Sequence, residues 1–326
     1  MPSLVGSEMC IRDRTSAESL GFDSLWFAEH HFSNYGYIPN PLLMATKAAS
    51  LTDEIRIGTA VLVLPFWNPL RVAEDIALTA HLSDGSLEVG VARGYQPFEF
   101  KRFGLTIDDA RERTDETLEI LLKALTQQTF TWQGDYFDIP ETTILPAPKQ
   151  QPTPPIWLAA HTQESFEIAA RFGLNAFTTN SGRTIETLAE GWSHYQEALE
   201  RYPKAPKMLG VQAQICVTDS DDIAQEQMSH FRYQTRQARN LRSGKEQVVS
   251  GVSAPLPYDD EPELDEIFTD RTLSGSPDTV IEKIKAYQSV ADIDQLNCVF
   301  QVGSMDPRLF SHSMILFAEE VAPEFR

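Results

Sequence analysis

The chain has little that would suit a membrane, a nucleic acid or a disulfide framework. No apolar run approaches the roughly 20 residues that span a bilayer. Acidic residues outnumber basic ones by 47 to 27, for a net charge of −20, which argues against binding to nucleic acid or to an anionic membrane surface. The three cysteines, Cys10, Cys216 and Cys298, lie far apart without metal-ligand spacing. We therefore expect a protein of the reducing cytoplasm that acts on small molecules.

The order of the predicted elements favours an α/β barrel. The pattern is strand then helix, repeated, and most strands are near-continuous apolar runs, as in parallel sheets covered on both faces. Closure of such a barrel needs eight strands, and only seven are predicted, which indicates that a first strand is missing. An open doubly wound sheet is the alternative, but no GxGxxG follows any strand. The predicted strands are 24–30, 55–64, 87–93, 156–160, 175–179, 207–218 and 295–302, and the predicted helices are 40–51, 68–82, 109–126, 164–172, 184–201, 220–240, 277–290 and 308–321.

The two ends of the pattern differ from the rest. Residues 1–14 have no continuous apolar core, unlike a signal peptide, and VGSEMCIRDR resembles translated sequencing-adapter sequence. We expect these residues to be a foreign leader and residues 15–326 to form one barrel domain. Residues 130–139 are predicted to form a hairpin. Residues 241–271 are predicted to be a long loop, whose acidic run at 259–266 is expected to be a solvated face.

A carboxylate and two imidazoles follow the first apolar strand. The run SLWFAEHHF, residues 24–32, places Glu29, His30 and His31 at the carboxyl end of that strand, where active sites lie in α/β folds. We expect a general base or hydrogen-bond donor near neutral pH, poised by Glu29. The alternative is a structural histidine at a strand end. Adjacent residues of a strand point to opposite faces, so no metal site is expected at His30 and His31.

Two further segments carry groups suited to a phosphate. Arg93 ends the strand in LEVGVARGY between small residues, which allows close backbone approach and a bidentate guanidinium contact. Thr162 and Ser165 stand at the start of a helix, where the dipole and free N–H groups favour anions. The alternatives are an ion pair between Arg93 and a nearby carboxylate, and plain N-capping by the two hydroxyls.

A glycine interrupts a long apolar strand. In IRIGTAVLVLPFWNP, residues 55–69, Gly58 lies in mid-strand. This position predicts a bulge or the close approach of a flat ligand. The alternative is an ordinary core strand.

Taken together, these segments resemble the bacterial luciferase-like family of flavin-dependent monooxygenases. The resemblance runs from residue 15 to residue 321 and rests on the order and spacing of LGFDSLWFAEHHF, IRIGTAVLVLPFWNPLRVAED, HLSDGSLEVGVARGY, AAHTQESFEIAARFG and SGSPD. It implies a (β/α)8 barrel with insertions, whose first strand precedes LGFDSLW and is missing here. It also implies oxidation of a small organic substrate by O2 with reduced FMN, which a separate flavin reductase supplies.

The resemblance assigns roles to single residues. His30 corresponds to the catalytic histidine beside the reactive face of the flavin, and Glu29 and His31 are its neighbours in the motif. Ala60 and Val61 correspond to a strand bulge that supports the isoalloxazine ring, where the family often has a non-proline cis peptide.

The resemblance also extends to the phosphate, the loop and the subunit contact. The phosphate of FMN would be held by Arg93, Thr162 and Ser165. Residues 241–271 would form a mobile loop over the site, and the helices near 40–51 and 68–82 would form a homodimer interface.

Two other functions stay open. A deazaflavin-dependent hydride-transfer enzyme would use the same barrel, and a flavin-binding protein without turnover would use the same pocket. Light-emitting members carry a cysteine where this chain has Ala92, so luminescence is not expected.

Overall fold

A computed structural model describes residues 16–203, 205, 208–244 and 247–326. Helices and strands alternate along these residues, which confirms the predicted α/β class. They fall into two compact units. The first comprises residues 16–18, 23–157 and 241–253, and the second comprises residues 19–22, 158–240 and 254–326. The predicted leader, residues 1–14, lies outside the described residues, and the closed barrel and the single domain stay predictions.

The first unit is built on parallel strands. β1 (Ser24–Phe27) pairs with β2 (Arg56–Val63), which pairs with β3 (Leu87–Ala92), in the register Leu25 to Ile57 to Leu87. The first two residues of β6 (Ile156–Ala159) lie beside β3 in the same unit. Ile57 and Leu87 are almost wholly buried, and removing such a side chain from water stabilises the fold by about 1.5–3 kcal/mol.

Helices of the first unit begin at the positions that the sequence marks. In α1 (Pro41–Ala49) the Asn40 side chain accepts a hydrogen bond from Leu43 N–H, and in α2 (Pro69–Leu82) Asn68 does the same for the first turn. Proline occupies the first helical position in both, where its missing N–H is not needed. The first unit also contains the helices α3 (Pro97–Arg102) and α4 (Ala110–Thr126). It further contains two antiparallel hairpins, one formed by β4 (Phe130–Gln133) and β5 (Asp138–Thr142) and the other by β9 (Val248–Val249) and β10 (Val252–Ser253).

The second unit is centred on one long strand. β8 (Leu209–Val217) pairs in parallel with β7 (Asn175–Thr179), β11 (Leu273–Gly275) and β12 (Gln295–Val299). Its helices are α5 (Gln163–Phe172), α6 (Ile185–Arg201), α7 (Asp221–Glu226), α8 (Met228–Arg242, whose last two residues belong to the first unit), α9 (Leu264–Asp270), α10 (Pro277–Val290) and α11 (Pro307–Leu316), the last followed by a π-helical turn over Phe317–Val321 and a 3-10 turn over Ala322–Phe325.

Several predicted boundaries are wrong for local reasons. β1 ends at Phe27 rather than at residue 30, because the His30 N–H bonds to Ile38 O instead of to a neighbouring strand. The predicted helix 220–240 is two helices that break at Gln227. The sheet includes one short parallel strand that was not predicted, β11, among the described residues. The missing first strand stays a prediction.

The acidic run is not the fully solvated face that the sequence predicts. Glu261 is half-buried and forms an ion pair with Arg236, which lowers the pKa of this carboxyl. Glu266 pairs with Arg271. Residues 241–271 also contain the β9–β10 hairpin and α9, so much of the predicted loop has regular structure. In the described part of the chain, no helix is both long enough and apolar enough to cross a bilayer.

Candidate active site

The Glu-His-His motif lies in the first unit, where the chain leaves β1. The Glu29 N–H still bonds to Val61 O of β2 at 3.3 Å, which keeps the carboxylate beside that strand. Glu29 and His31 are buried, whereas the His30 side chain keeps 17% of its exposure. Of the three motif residues, His30 is therefore the one most accessible to a ligand.

Glu29 is held by donors from three directions. Its oxygens accept hydrogen bonds from Val63 N–H at 2.8 Å and from the Trp67 indole at 3.0 Å. His31 Nε2 lies 2.9 Å from Glu29 Oε1. A buried carboxylate with three partners is well compensated for its loss of hydration. Glu29 thus joins the end of β1 to the segment after β2.

Glu99 of α3, and not Glu29, lies beside His30. Glu99 Oε1 is 3.2 Å from His30 Nδ1 and accepts from His31 N–H at 2.7 Å. The expectation that Glu29 poises His30 is wrong, because the turn of chain after Phe27 directs the Glu29 carboxylate to β2. A carboxylate only accepts, so in the tautomer that donates to Glu99 the proton of His30 lies on Nδ1 and Nε2 is the basic atom.

Polar side chains surround the other edge of the His30 ring. Tyr35 packs on it edge-on at 4.7 Å between ring centroids, and Tyr95 at 6.1 Å. The two hydroxyls are 3.3 Å apart, and the amide of buried Gln96 lies 3.3 Å from Tyr95 Oη and 3.3 Å from His30 Nδ1. Burial raises the pKa of both phenols. Both are therefore neutral near pH 7.

His31 lies in an aromatic cluster rather than in a polar one. Its ring contacts Phe103 at 4.8 Å and Phe66 at 5.6 Å between centroids, and Phe66 stacks on Phe103 at 4.6 Å. Such packing, with Nε2 engaged by Glu29, leaves His31 no free face for a substrate. His31 therefore fits the alternative of a structural histidine at a strand end.

A cavity of about 370 Å³ opens beside His30 within the same unit. Its walls include Phe32, Tyr37 and Pro39, and the turn of the β9–β10 hairpin adds Gly251. The hairpin is tied to this wall, because Asn34 N–H donates to Gly251 O at 2.7 Å. The volume falls within the range of small-molecule sites.

The β2 strand carries the irregularity that the sequence predicts. Its register to β3 shifts between Thr59 and Leu62, and the Ala60–Val61 peptide is cis. The bulge and the cis peptide expected at Ala60 and Val61 are therefore confirmed. The glycine at position 58 is explained by packing rather than by a flat ligand, because a Cβ there would lie 2.4 Å from the Trp26 ring.

Arg93 is exposed just after β3 and makes no hydrogen bond or ion pair with the described residues. The ion-pair alternative is therefore not seen in this part of the chain. Partial burial lowers the pKa of Arg93, the charges of Arg111 and Arg242 lower it further, and the charge of Asp115 opposes this lowering. A cluster of guanidinium groups in a strongly acidic chain suits an anionic ligand.

Thr162 and Ser165 form a reciprocal cap at the start of α5 in the second unit. Thr162 Oγ1 accepts from Ser165 N–H at 3.3 Å, and Ser165 Oγ accepts from Thr162 N–H at 2.9 Å. Plain N-capping, the alternative given above, accounts for both hydroxyls in this arrangement. Their convergence with Arg93 on one phosphate stays a prediction.

Comparison with known proteins gives the family. The sequence model of the luciferase-like monooxygenases matches residues 14–292. The chain belongs to this family. It is 31% identical over 287 residues to the oxygenase component of a flavin-dependent trigonelline monooxygenase from Acinetobacter baylyi, covering 84% of this chain and 78% of the relative.

Solved structures agree with this assignment. The monooxygenase RslO1 from Streptomyces bottropensis matches with a TM-score of 0.85 and 26% identity, covering 98% of this chain and 93% of the other. The oxygenating constituent of 3,6-diketocamphane monooxygenase from Pseudomonas putida, in complex with FMN, matches with a TM-score of 0.81 and 22% identity, covering 99% and 94%. The family assignment and these relatives indicate an oxidoreductase with a flavin-type site.

The residues that surround His30 were not predicted from the sequence. Glu99, Gln96 and Tyr95 lie in GYQPFEF, directly after Arg93. The available signal was a carboxylate between Phe98 and Phe100, since a charge flanked by buried aromatic residues needs a partner.

Proposed function

We propose that this protein is a flavin-dependent monooxygenase that uses reduced FMN and O2 to oxidise a small organic substrate. The observation that carries the proposal is the His30 imidazole, which is held at Nδ1 by a buried carboxylate and lines a ligand-sized cavity. Family membership supplies the reaction class. The substrate named for the trigonelline relative is one candidate for this chain.

The residues present suit FMN. The exposed Arg93 guanidinium, with two further arginine charges nearby, fits a phosphate, and we propose that Arg93, Thr162 and Ser165 hold it. Ala60 and Val61 at the β2 bulge would support the flat ring system. Reduced FMN, when bound, supplies the electrons that activate O2.

The protein's own groups would manage protons and water. His30 Nε2 would serve as the general acid or base, while Glu99 keeps the ring oriented through Nδ1. The aromatic rings packed on His31 would help to keep water from the base of the site. In this proposal His30 is catalytic and Glu99 orients its ring, while Glu29 and His31 hold the segment that follows β1.

Two partners follow from the proposal. The trigonelline relative is described as an oxygenase component, which supports a separate flavin reductase for this chain as well. A homodimer through α1 and α2 is supported by exposed leucines on these helices, with exposed fractions of 68% for Leu43, 48% for Leu78 and 55% for Leu82.

The test combines cofactor and oxygen. The purified chain is mixed with chemically reduced FMN, oxygen-18-labelled O2 and a panel of small organic molecules that includes trigonelline. A product that carries one oxygen-18 atom supports the proposal. Oxidised FMN without a reductant serves as the control and should give no product.

The same experiment separates the alternatives. A deazaflavin-dependent enzyme would instead oxidise or reduce the substrate with the deazaflavin and without consuming O2. A flavin-binding protein without turnover would bind FMN and yield no labelled product with any member of the panel. Either result would contradict the proposal.

A further inference from the structure

A second cavity lies within the second unit, toward the carboxyl end of β8. Its walls come from β8, α8, α9 and the segments beside them, and they include Gln214, Arg232, Thr235, Tyr258, Ile267 and Arg271. The centres of water-sized groups can occupy about 10 Å³ of this cavity, which leaves room for about one or two oxygen atoms and none for a ring. The cavity therefore suits a small polar group at the end of a ligand.

Gln214 is the most informative residue of this cavity. It is only 6% exposed, and its amide has no hydrogen-bond partner among the residues that the structure describes. Buried amides are rarely left without a partner, because burial removes the hydrogen bonds that water would supply. The Gln214 amide therefore indicates a ligand that completes its hydrogen bonds.

Two hydroxyl groups share this situation. Thr235 and Tyr258 line the same cavity, and neither hydroxyl has a hydrogen-bond partner in the described part of the chain. Hydroxyl and amide groups can all donate a proton. Together with Gln214, they can surround a group whose oxygens accept hydrogen bonds.

The charges around Tyr258 favour an anion. Burial raises the pKa of Tyr258, Glu261 adds to the rise, and three arginines oppose it, namely Arg239, Arg271 and Arg232. The hydroxyl therefore lies near three guanidinium groups and one carboxylate. Two of the described residues that line the cavity are basic, Arg232 and Arg271, and none is acidic. Such a positive site in a chain of net charge −20 attracts an anionic group.

Neighbouring carboxylates compensate this positive charge only in part. The side chain of Glu263 is 90% exposed, so water screens its charge. Arg239 stacks on the Tyr258 ring at 3.9 Å and has no ion pair with the described residues. The ionic and stacking contacts around the cavity bring together four arginines and three glutamates, namely Arg232, Arg236, Arg239 and Arg271 with Glu261, Glu263 and Glu266.

We infer that this cavity binds the carboxylate group of a small molecule, with the Gln214 amide and the hydroxyls of Thr235 and Tyr258 as hydrogen-bond donors. A carboxylate presents two oxygens that accept from such donors, and it matches the size and the positive surroundings of the cavity. The inference goes beyond the proposed function, because none of these residues belongs to the groups proposed for FMN or for proton transfer.

Acetate and acetamide test the inference, because they have nearly the same size and differ in charge. Their binding to the full-length protein at pH 7 is measured by saturation-transfer difference NMR on the methyl protons, in a buffer without other carboxylates. We expect acetate to bind more tightly than acetamide. Gln214→Leu should weaken acetate about tenfold or more, the contribution of one hydrogen bond to a charged group. Tyr258→Phe, which removes one hydroxyl, should also weaken it.

Two further variants fix the origin of the effect. Gln212→Leu is the matched control, since Gln212 is a half-buried glutamine on the same strand and does not line the cavity. It should leave the acetate affinity unchanged. Gln214→Glu keeps the shape of the side chain but places a negative charge in the cavity, so acetate binding should be lost.

Three results would overturn the inference. They are equal binding of acetamide and acetate, an equal effect of Gln214→Leu and Gln212→Leu on acetate, and displacement of acetate by an equal concentration of chloride. Should Gln214→Leu fail to fold, Tyr258→Phe and the wild-type comparison of the two probes decide.

Acetate added to the oxygen-18 experiment distinguishes the sources of the carboxylate. A yield of labelled product that falls with acetate assigns the site to the substrate, and an unchanged yield assigns it to a second small molecule. If that experiment gives no product while acetate binding depends on Gln214, the carboxylate site stands and the monooxygenase proposal is wrong.

Discussion

Replacing Glu29 should cost far more stability than replacing an exposed glutamate. The Glu29 carboxylate accepts from Val63 N–H at 2.8 Å and the Trp67 indole at 3.0 Å, and its Oε1 lies 2.9 Å from His31 Nε2. In Glu29→Gln one carboxylate oxygen becomes an NH2 group, which then faces a buried donor. Losing a charge-assisted bond and leaving a buried donor unsatisfied cost about 1–3 kcal/mol each, so we expect a loss of roughly 2–6 kcal/mol.

Urea unfolding measures this loss directly. The unfolding midpoint of Glu29→Gln should fall with an unchanged m-value, which reports lost stability rather than a changed unfolded state. Trp67 fluorescence should shift already in the folded variant, because its indole loses the charged partner. Glu74→Gln on α2 is the control, since the Glu74 side chain is 46% exposed, and it should stay within about 0.5 kcal/mol of the wild type.

The result for Glu29 also separates two roles. If Glu29→Gln unfolds at the wild-type midpoint, the three contacts contribute nothing measurable and our account of the motif is wrong. A variant that is destabilised but keeps turnover, once folded, identifies Glu29 as a positioning residue. A variant that keeps its stability and loses turnover would instead make Glu29 catalytic.

Three other predictions concern the reaction, the thiols and the subunit contact. His30→Ala should lower substrate oxidation by about a hundredfold or more while FMN binding survives, and turnover at the wild-type rate would contradict the assignment. Burial raises the pKa of Cys216 and of Cys298 from 9 to about 12, so alkylation of either in the folded protein at pH 8, followed by peptide mass spectrometry, should be about a thousandfold slower than in urea. The raised pKa values of the two thiols should also contribute stability to the fold, fully below pH 9, and this contribution should be lost as the pH rises through 12. Unfolding measured as a function of pH checks this. Leu78→Glu should turn a dimer into a monomer in sedimentation, whereas Leu145→Glu, at a more exposed leucine away from α1 and α2, should not.

Long apolar strands and capped helices could be predicted from the sequence alone. The strand 175–179 and the helix 277–290 match β7 and α10 residue for residue, because aromatic and β-branched residues between turn signals and a Ser-Pro cap act locally. The short elements could not be predicted. β11 has three residues and α3 has six, too few for a hydrophobic period, and contacts distant in sequence decide their structure.

The candidate site shows the same division between local and distant information. A carboxylate and two imidazoles at a strand end were visible as a motif, and so was the bulge at Ala60 and Val61. Which carboxylate serves which imidazole was not visible, because Glu99 is 69 residues from His30 in the chain. Spacing within the motif suggested Glu29 for His30, and tertiary structure gave Glu29 to His31 instead.

Each histidine lies beside a different carboxylate, His30 beside Glu99 and His31 beside Glu29. This pairing explains why the two adjacent histidines have different roles. His31 is closed off by Glu29 on its Nε2 and by Phe66 and Phe103 on its ring. Glu99 receives the His31 backbone N–H and also lies at His30 Nδ1, so one buried carboxylate fixes both the chain and the ring. Nε2 of His30 makes no bond to the described residues, and its ring lines the cavity. The free Nδ1 of His31 belongs instead to a ring that packs against Phe66 and Phe103. A site that offers a base to a ligand needs a free nitrogen beside a cavity, and the position of Glu99 at Nδ1 leaves Nε2 of His30 in that state.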